Sequence, residues 1–104
     1  MYIEGPSFRF HAQEMRHAPD EPGVFALWLR GNVVYFGSDP KSIRKGLESH
    51  CNRRPLRPKD CPDYFNFEVT ESDKAEERVT ELIAEFYNAT RHLPAGNDPN
   101  CLFP

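Results

Sequence analysis

The apolar positions of the N-terminal half predict a β-hairpin. Residues 23–29 ("GVFALWL") are almost continuously apolar, as in a strand that is buried on both faces. The pair Gly31-Asn32 is typical of a tight turn, and residues 33–37 ("VVYFG") form a second short apolar run. The two runs and the turn between them therefore predict two antiparallel strands.

The rest of the chain predicts two helices with one strand between them. Asp39 before Pro40 predicts a helix start, because Asp accepts backbone N–H groups and Pro tolerates the first helical position. This helix is expected to end near His50, and residues 63–70 alternate as in a third strand. A second helix is predicted over residues 73–88 by an apolar stripe at helical spacing. The stripe consists of Ala75, Val79, Leu82, Ile83 and Phe86.

These elements follow one another in the order β-β-α-β-α. The fold class predicted from that order is α/β (α+β), with a small three-stranded antiparallel sheet flanked by helices. The 104 residues suffice for one domain and are too few for two. We expect an N-terminal extension at 1–21 that packs on the domain, the domain itself at 22–97, and a C-terminal tail at 98–104. No oligomeric state is predicted from these residues.

Composition and cysteine spacing limit the location and the metal chemistry. No apolar run is long enough to span a bilayer and the N-terminus lacks a signal segment, so the expected location is cytoplasmic and not a membrane. The three cysteines, Cys51, Cys61 and Cys101, are odd in number and widely spaced, which favours reduced thiols. A zinc site with His50 and with Cys101 or His92 is the alternative, but the paired short-range spacing of such sites is absent.

A basic cluster lies on the first helix and in the loop that follows it, although the net charge of the chain is -3. Such a cluster in an acidic protein predicts local contact with the phosphates of DNA or RNA. The alternative is a solvated loop that keeps the protein soluble. The seven residues of the cluster are Lys41, Arg44, Lys45, Arg53, Arg54, Arg57 and Lys59.

Five local features in this order resemble the GIY-YIG nuclease superfamily. They are "EPGVFAL", "NVVYFGSD", "SIRKGLESH", the acidic start and "ELIAEF" body of the last helix, and the closing "LPAGN". The resemblance runs from about residue 22 to residue 97. It implies a fold whose active members cleave phosphodiester bonds with one divalent metal ion. In that mechanism a tyrosine activates water, an arginine neutralises developing charge, and a glutamate holds the metal ion.

The resemblance assigns five positions of this chain to the active site of the family. Tyr35 matches the tyrosine of the second strand, and His50 matches the helix histidine, so both are candidate catalytic residues. Phe25 stands where the first strand has its tyrosine. Gly46 stands where the arginine is expected, and it costs a helix interior about 1 kcal/mol relative to alanine. Val79 stands where the metal-binding glutamate is expected. The sequence therefore predicts a nuclease fold with a degenerate active site.

Three functions remain open at this point. The first is a domain that has lost cleavage and binds nucleic acid through the basic helix and loop, without a cofactor. The second is a divergent endonuclease that uses Tyr35 and His50 with Arg44 reaching over and Glu76 as a replacement metal ligand, and this one requires Mg²⁺ or Mn²⁺. The third is a protein-interaction module, for which we expect an exposed apolar patch near Phe25, Gly46 and Val79.

Overall fold

The computed structural model of this chain describes residues 3–52 and 62–97. The described part contains four strands and two α-helices, joined by short 3₁₀ turns. The strands are β1 (Phe8–Arg9), β2 (Gly23–Leu29), β3 (Asn32–Asp39) and β4 (Tyr64–Val69). The helices are α1 (Ile43–Asn52) and α2 (Ala75–Thr90). The 3₁₀ turns span Ala12–His17, Ser72–Lys74 and Ala95–Asn97.

The strands form one antiparallel sheet in the order β1-β4-β2-β3. The predicted hairpin is the β2–β3 pair, but its turn lies one residue earlier than the sequence pattern indicated. Arg30 and Gly31 are the central turn residues, with φ of 51° and 82°. Positive φ at both positions matches the twist of the adjoining strands, which favours this turn in two-residue hairpins.

The prediction of three strands was one strand short. β1 is only two residues long, and it pairs with the start of β4 through Phe8↔Phe65 and Arg9↔Tyr64. Two residues are too few for an alternating pattern to be distinguished from loop. The α+β fold class and the order of the larger elements are confirmed. The domain limits at residues 22 and 97 stay a prediction.

Successive side chains of a strand point to opposite faces, and the two faces of this sheet carry separate apolar cores. The α2-side core contains Val24 and Ala26 of β2, and Leu82 and Phe86 are its buried residues from the helix. The α1-side core contains Phe25 and Leu27 of β2. In this second core, Ile43 and Leu47 from α1 and Phe65 from β4 are buried. Helices α1 and α2 therefore cover opposite faces of one sheet.

Helix α1 begins at Ile43, three residues after the proline at which the sequence predicted its start. Asp39 Oδ1 accepts the backbone N–H groups of Lys41 and Ser42, at 2.8 Å each. Ser42 Oγ in turn accepts the N–H of Lys45 at 3.2 Å. Asp39 thus closes the turn before the helix, and Ser42 acts as its N-cap.

Helix α2 agrees closely with the predicted apolar stripe. The Ser72–Lys74 turn precedes it, and Arg91 ends it in the left-handed conformation with φ of 66°. Arg78 donates from Nε to Glu68 Oε2 at 2.8 Å and also pairs with Glu81. The hydrogen bond to Glu68 raises the pKa of Arg78 above its ordinary value. Among the described residues, no helix combines the length and apolar character that crossing a bilayer requires.

Candidate functional site

The two candidate catalytic side chains meet on the α1 face of the sheet. The ring centroids of Tyr35, from β3, and His50, from the last turn of α1, are 4.7 Å apart. Phe25 of β2 completes the group, with its ring centroid 5.6 Å from that of His50 and 6.2 Å from that of Tyr35. Tyr35 and His50 are both half-buried. The sequence predicted both residues, and the structure brings them together; their catalytic role stays a prediction.

Gly46 lies directly against this ring group. A Cβ atom built on Gly46 would be 3.1 Å from Phe25 Cε2 and 3.3 Å from Asp39 Cβ. These distances are shorter than ordinary van der Waals contacts. The missing side chain therefore lets α1 approach the sheet closely, and a longer side chain at residue 46 would have to displace Phe25 or Asp39.

Gly37 meets the same aromatic ring from the strand side. A Cβ atom on Gly37 would be 2.5 Å from Phe25 Cζ and 2.7 Å from Tyr35 Cε2. The phenyl group of Phe25 is thus packed between two glycines, and only 1% of this residue is exposed. Phe25 stands where the resemblance places a tyrosine, and its buried ring has no hydroxyl group.

Val79 and Glu76 belong to the other face of the sheet. Val79 is half-buried and packs against the α2-side core. Glu76, one turn earlier on α2, is exposed. The apolar patch expected from Phe25, Gly46 and Val79 together is not formed, because the first two residues lie on the α1 face and Phe25 is buried.

The closing segment of the domain is attached to the edge strand beside Tyr35. Asn97 Oδ1 accepts the Phe36 N–H at 2.9 Å, and Asn97 Nδ2 donates to the Phe36 carbonyl at 3.0 Å. A Cβ atom on Gly96 would be 3.0 Å from Tyr35 Cβ, so this turn also touches the tyrosine. Sequence reasoning gave Asn97 no role. An asparagine side chain can donate and accept at the same time, so it can pair with both the N–H and the carbonyl of one residue on an exposed strand edge.

The predicted basic cluster is described only in part. Lys41 and Lys45 are exposed, and neither ammonium group pairs with a carboxylate of residues 3–52 or 62–97. Arg44 is half-buried, and its Nε donates to the Ala18 carbonyl at 2.8 Å, which directs this side chain toward the N-terminal segment. The four remaining members, Arg53, Arg54, Arg57 and Lys59, lie outside the described residues.

Only one of the three cysteines lies in the part of the chain that the structure describes. Cys51 is half-buried against the α1-side core, whereas Cys61 and Cys101 lie outside the described residues. The His92 ring packs edge-on against Phe86, with centroids 5.5 Å apart, and its Nδ1 is 3.0 Å from the Leu93 carbonyl. The choice between reduced thiols and a zinc site stays a prediction.

Comparison with known proteins identifies the architecture. No family model matches the chain, and no match is found among curated proteins. Among solved structures, it is similar to the crystal structure of the GIY-YIG N-terminal endonuclease domain of UvrC from Thermotoga maritima, a point mutant bound to its catalytic divalent cation. The sequences are 25% identical, the TM-score is 0.51, and the similarity covers 76% of this chain and 87% of the other. The chain has a GIY-YIG-like fold.

The side chains that the structure describes in this GIY-YIG-like domain do not fit a divalent metal ion. Within residues 3–52 and 62–97, no three His, Cys, Asp or Glu side chains converge as metal ligands would. The position that the resemblance assigns to the metal-binding glutamate is Val79, which has no ligand atom. The carboxylate nearest Gly46 is Asp39, and its Oδ1 already accepts two backbone N–H groups. Hard divalent cations need several oxygen ligands, which this arrangement does not supply.

Proposed function

We propose that this chain is a GIY-YIG-like domain that has lost phosphodiester cleavage and binds DNA or RNA through α1 and the loop that follows it. The packing of Phe25 between Gly37 and Gly46 is the observation that carries the loss of cleavage. The Phe25 ring places hydrocarbon at this point of the α1 face. Phosphodiester cleavage would need a fixed cation and a proton-transfer group there to stabilise the transition state.

The second part of the proposal, binding, is supported by charge. Lys45 is exposed on α1 and Lys41 is exposed two residues before this helix begins, and their ammonium groups are not neutralised by described carboxylates. The same helix leads into residues 53–59, which contain four more cations. A local concentration of cations favours phosphate contact even when the net charge of the protein is negative.

A second candidate is the divergent endonuclease, and one contact favours it. The Tyr35 and His50 rings are adjacent, as a tyrosine and a proton-accepting group would need to be. Against it, Arg44 is directed to the Ala18 carbonyl, and Glu76 lies on the helix that covers the opposite face. The proposal therefore stays with binding.

A binding and cleavage experiment tests both parts. We expect the native protein to bind labelled DNA or RNA with an affinity that falls as salt concentration rises, and to leave the strand intact with Mg²⁺ or Mn²⁺. Combined replacement of Arg53, Arg54 and Arg57 by alanine should abolish binding. The double variant Lys41→Ala, Lys45→Ala should reduce the slope of log K against log salt by up to about 0.9 for each phosphate that the variant no longer neutralises.

The matched control is Arg91→Gly. It removes one exposed cation at the end of α2, and glycine accepts the left-handed backbone of that residue. This variant should bind as the native protein does. Unchanged affinity of the triple variant would overturn the binding proposal. Metal-dependent nicking by the native protein that disappears in Tyr35→Phe would overturn the proposal that cleavage is lost.

A further inference from the structure

The corner of the sheet where β4 begins carries a row of three side chains from three strands. Tyr64 is paired with Arg9 of β1 on one side and with Trp28 of β2 on the other. Directly paired residues of antiparallel strands project from the same face, with Cβ atoms about 5 Å apart. Arg9, Tyr64 and Trp28 are therefore neighbours on one surface of the sheet.

Tyr64 is the more exposed of the two aromatic residues in this row. Its exposed fraction is 43%, whereas Trp28 is half-buried and donates its indole N–H to Asn66 Oδ1 at 3.0 Å. An aromatic ring held on a rigid strand costs little conformational entropy when a second ring packs on it. The Tyr64 ring is thus available as a stacking surface.

Two exposed cations lie on the chain segments next to Tyr64. Arg9 is exposed on β1, and Arg30 is exposed at the tip of the β2–β3 hairpin. The Arg30 N–H donates to Asp63 Oδ2 at 3.3 Å, and the Asp63 N–H donates to the Trp28 carbonyl at 2.8 Å. These bonds hold the hairpin tip next to the residue that precedes Tyr64. Neither guanidinium group forms an ion pair with a carboxylate of the described ranges.

The sequence joins this corner to the basic loop of the proposed function. Lys59 precedes Tyr64 by five residues, so the cations at 53–59 lead directly into the first residue of β4. Asp63, the residue before Tyr64, is acidic, and its Oδ2 accepts the Arg30 N–H.

We propose that this corner is a stacking site for single-stranded nucleic acid, with one base on the Tyr64 ring and adjacent phosphates at Arg9 and Arg30. The inference rests on the proposed function and specifies its ligand. A stacked base must be unpaired to expose its face, whereas phosphate contacts alone would serve a duplex equally well. The ring and the two arginines together therefore favour a single strand.

The test measures fluorescence anisotropy of labelled 12-nucleotide single strands, as DNA and as RNA, against duplex of the same length. Tyr64→Ala should weaken single-strand binding about tenfold, which is within the range for loss of one stacked base. Tyr64→Phe keeps the ring and should bind within about twofold of the native protein. The matched control is Tyr87→Ala, because Tyr87 is 47% exposed on α2, and this variant should bind normally.

A second readout comes from the single tryptophan of the chain, Trp28. Because it is the cross-strand neighbour of Tyr64, its emission should change on addition of single strands to the native protein and change much less in Tyr64→Ala. Arg9→Ala should reduce the affinity and the salt slope together and leave the emission change at saturation in place.

The outcomes separate this inference from the proposed function. Single-strand binding that is equally tight in Tyr64→Ala and native protein overturns the stacking site and leaves the proposed function standing. Equal loss in Tyr87→Ala, or a loss of self-association in Tyr64→Ala at unchanged nucleic-acid affinity, also overturns it, the latter in favour of a protein contact. Absence of any nucleic-acid binding by native protein instead overturns the proposed function itself.

Discussion

The two faces of the sheet are covered by helices that approach it in different ways. On the α2 face, Leu82 and Phe86 fill the space between helix and sheet with side chains. On the α1 face, Gly37 and Gly46 leave space that the Phe25 ring occupies. Side chains of α2 therefore fill the space on its face of the sheet, whereas on the α1 face two glycines without side chains make room for one aromatic ring.

This difference bears on function because the positions that the resemblance assigns to the family's tyrosines, arginine and histidine lie on the α1 face. Phe25 and Gly46 are parts of one packing arrangement, since the ring of the first residue occupies space beside the second. Val79, on the α2 face, is independent of that arrangement and completes an aliphatic core.

Removing a leucine from each face gives the largest expected effect. Leu47 of α1 and Leu82 of α2 are each 0% exposed, so alanine at either position should lower the free energy of unfolding by about 2–5 kcal/mol. Chemical denaturation measures both losses. The faces should differ in NMR spectra, because only Leu47→Ala is expected to shift the ring resonances of Tyr35 and His50. Equal shifts in Leu82→Ala would contradict the separation of the two cores.

Adding a methyl group to the α1 face gives a smaller effect. Gly37→Ala places a Cβ atom 2.5 Å from Phe25 Cζ, so the buried ring has to move, at a cost of about 1–3 kcal/mol. The matched control is Ser38→Ala, the next residue of β3, whose side chain projects from the other face. It should change the stability by less than about 0.5 kcal/mol. A native-like unfolding free energy in Gly37→Ala would show that Phe25 is not tightly held.

The sequence predicted the elements that have long, regular apolar patterns. Helix α2 and strand β4 have periodic apolar patterns, and the β2–β3 hairpin starts with a continuous apolar run that is buried on both faces, so each element is visible in the residues themselves. The short strand β1 was left out of the predicted sheet because its two residues are identified as part of the sheet only by their partners, Phe65 and Tyr64. Local pattern decides a long element, whereas a short edge strand depends on what lies beside it.

The candidate site was predictable in its residues and not in its geometry. Tyr35 and His50 were found from their positions in the motifs, and the structure places their rings together. The sequence offered no indication of which face of the sheet each helix would cover. The apolar patch expected for a protein-interaction module was therefore wrong, because Val79 and Phe25 lie on opposite faces. The pairing of Asn97 with Phe36 spans 61 residues and was equally invisible. Contacts between distant segments need the three-dimensional fold.

The smallest expected effect isolates the reason for Gly46. In the native chain, Gly46→Ala gains about 1 kcal/mol of helix preference but places a Cβ atom 3.1 Å from Phe25 Cε2, so the two effects should nearly cancel. In a Phe25→Leu background, which lacks that atom, the same substitution should stabilise the protein by about 0.5–1 kcal/mol. Four unfolding free energies give the coupling between the two residues.

Ser49→Ala is the control for this cycle, because Ser49 is exposed on the same helix. Its effect should be the same in both backgrounds, since an exposed residue that does not touch Phe25 gains only helix preference. A Gly46→Ala variant that stabilises the native chain by the full alanine preference would contradict the close approach of α1 to the ring. Gly46 would then have no packing role against Phe25. The α1 face would in that case have room for an arginine side chain, which the resemblance places at residue 46.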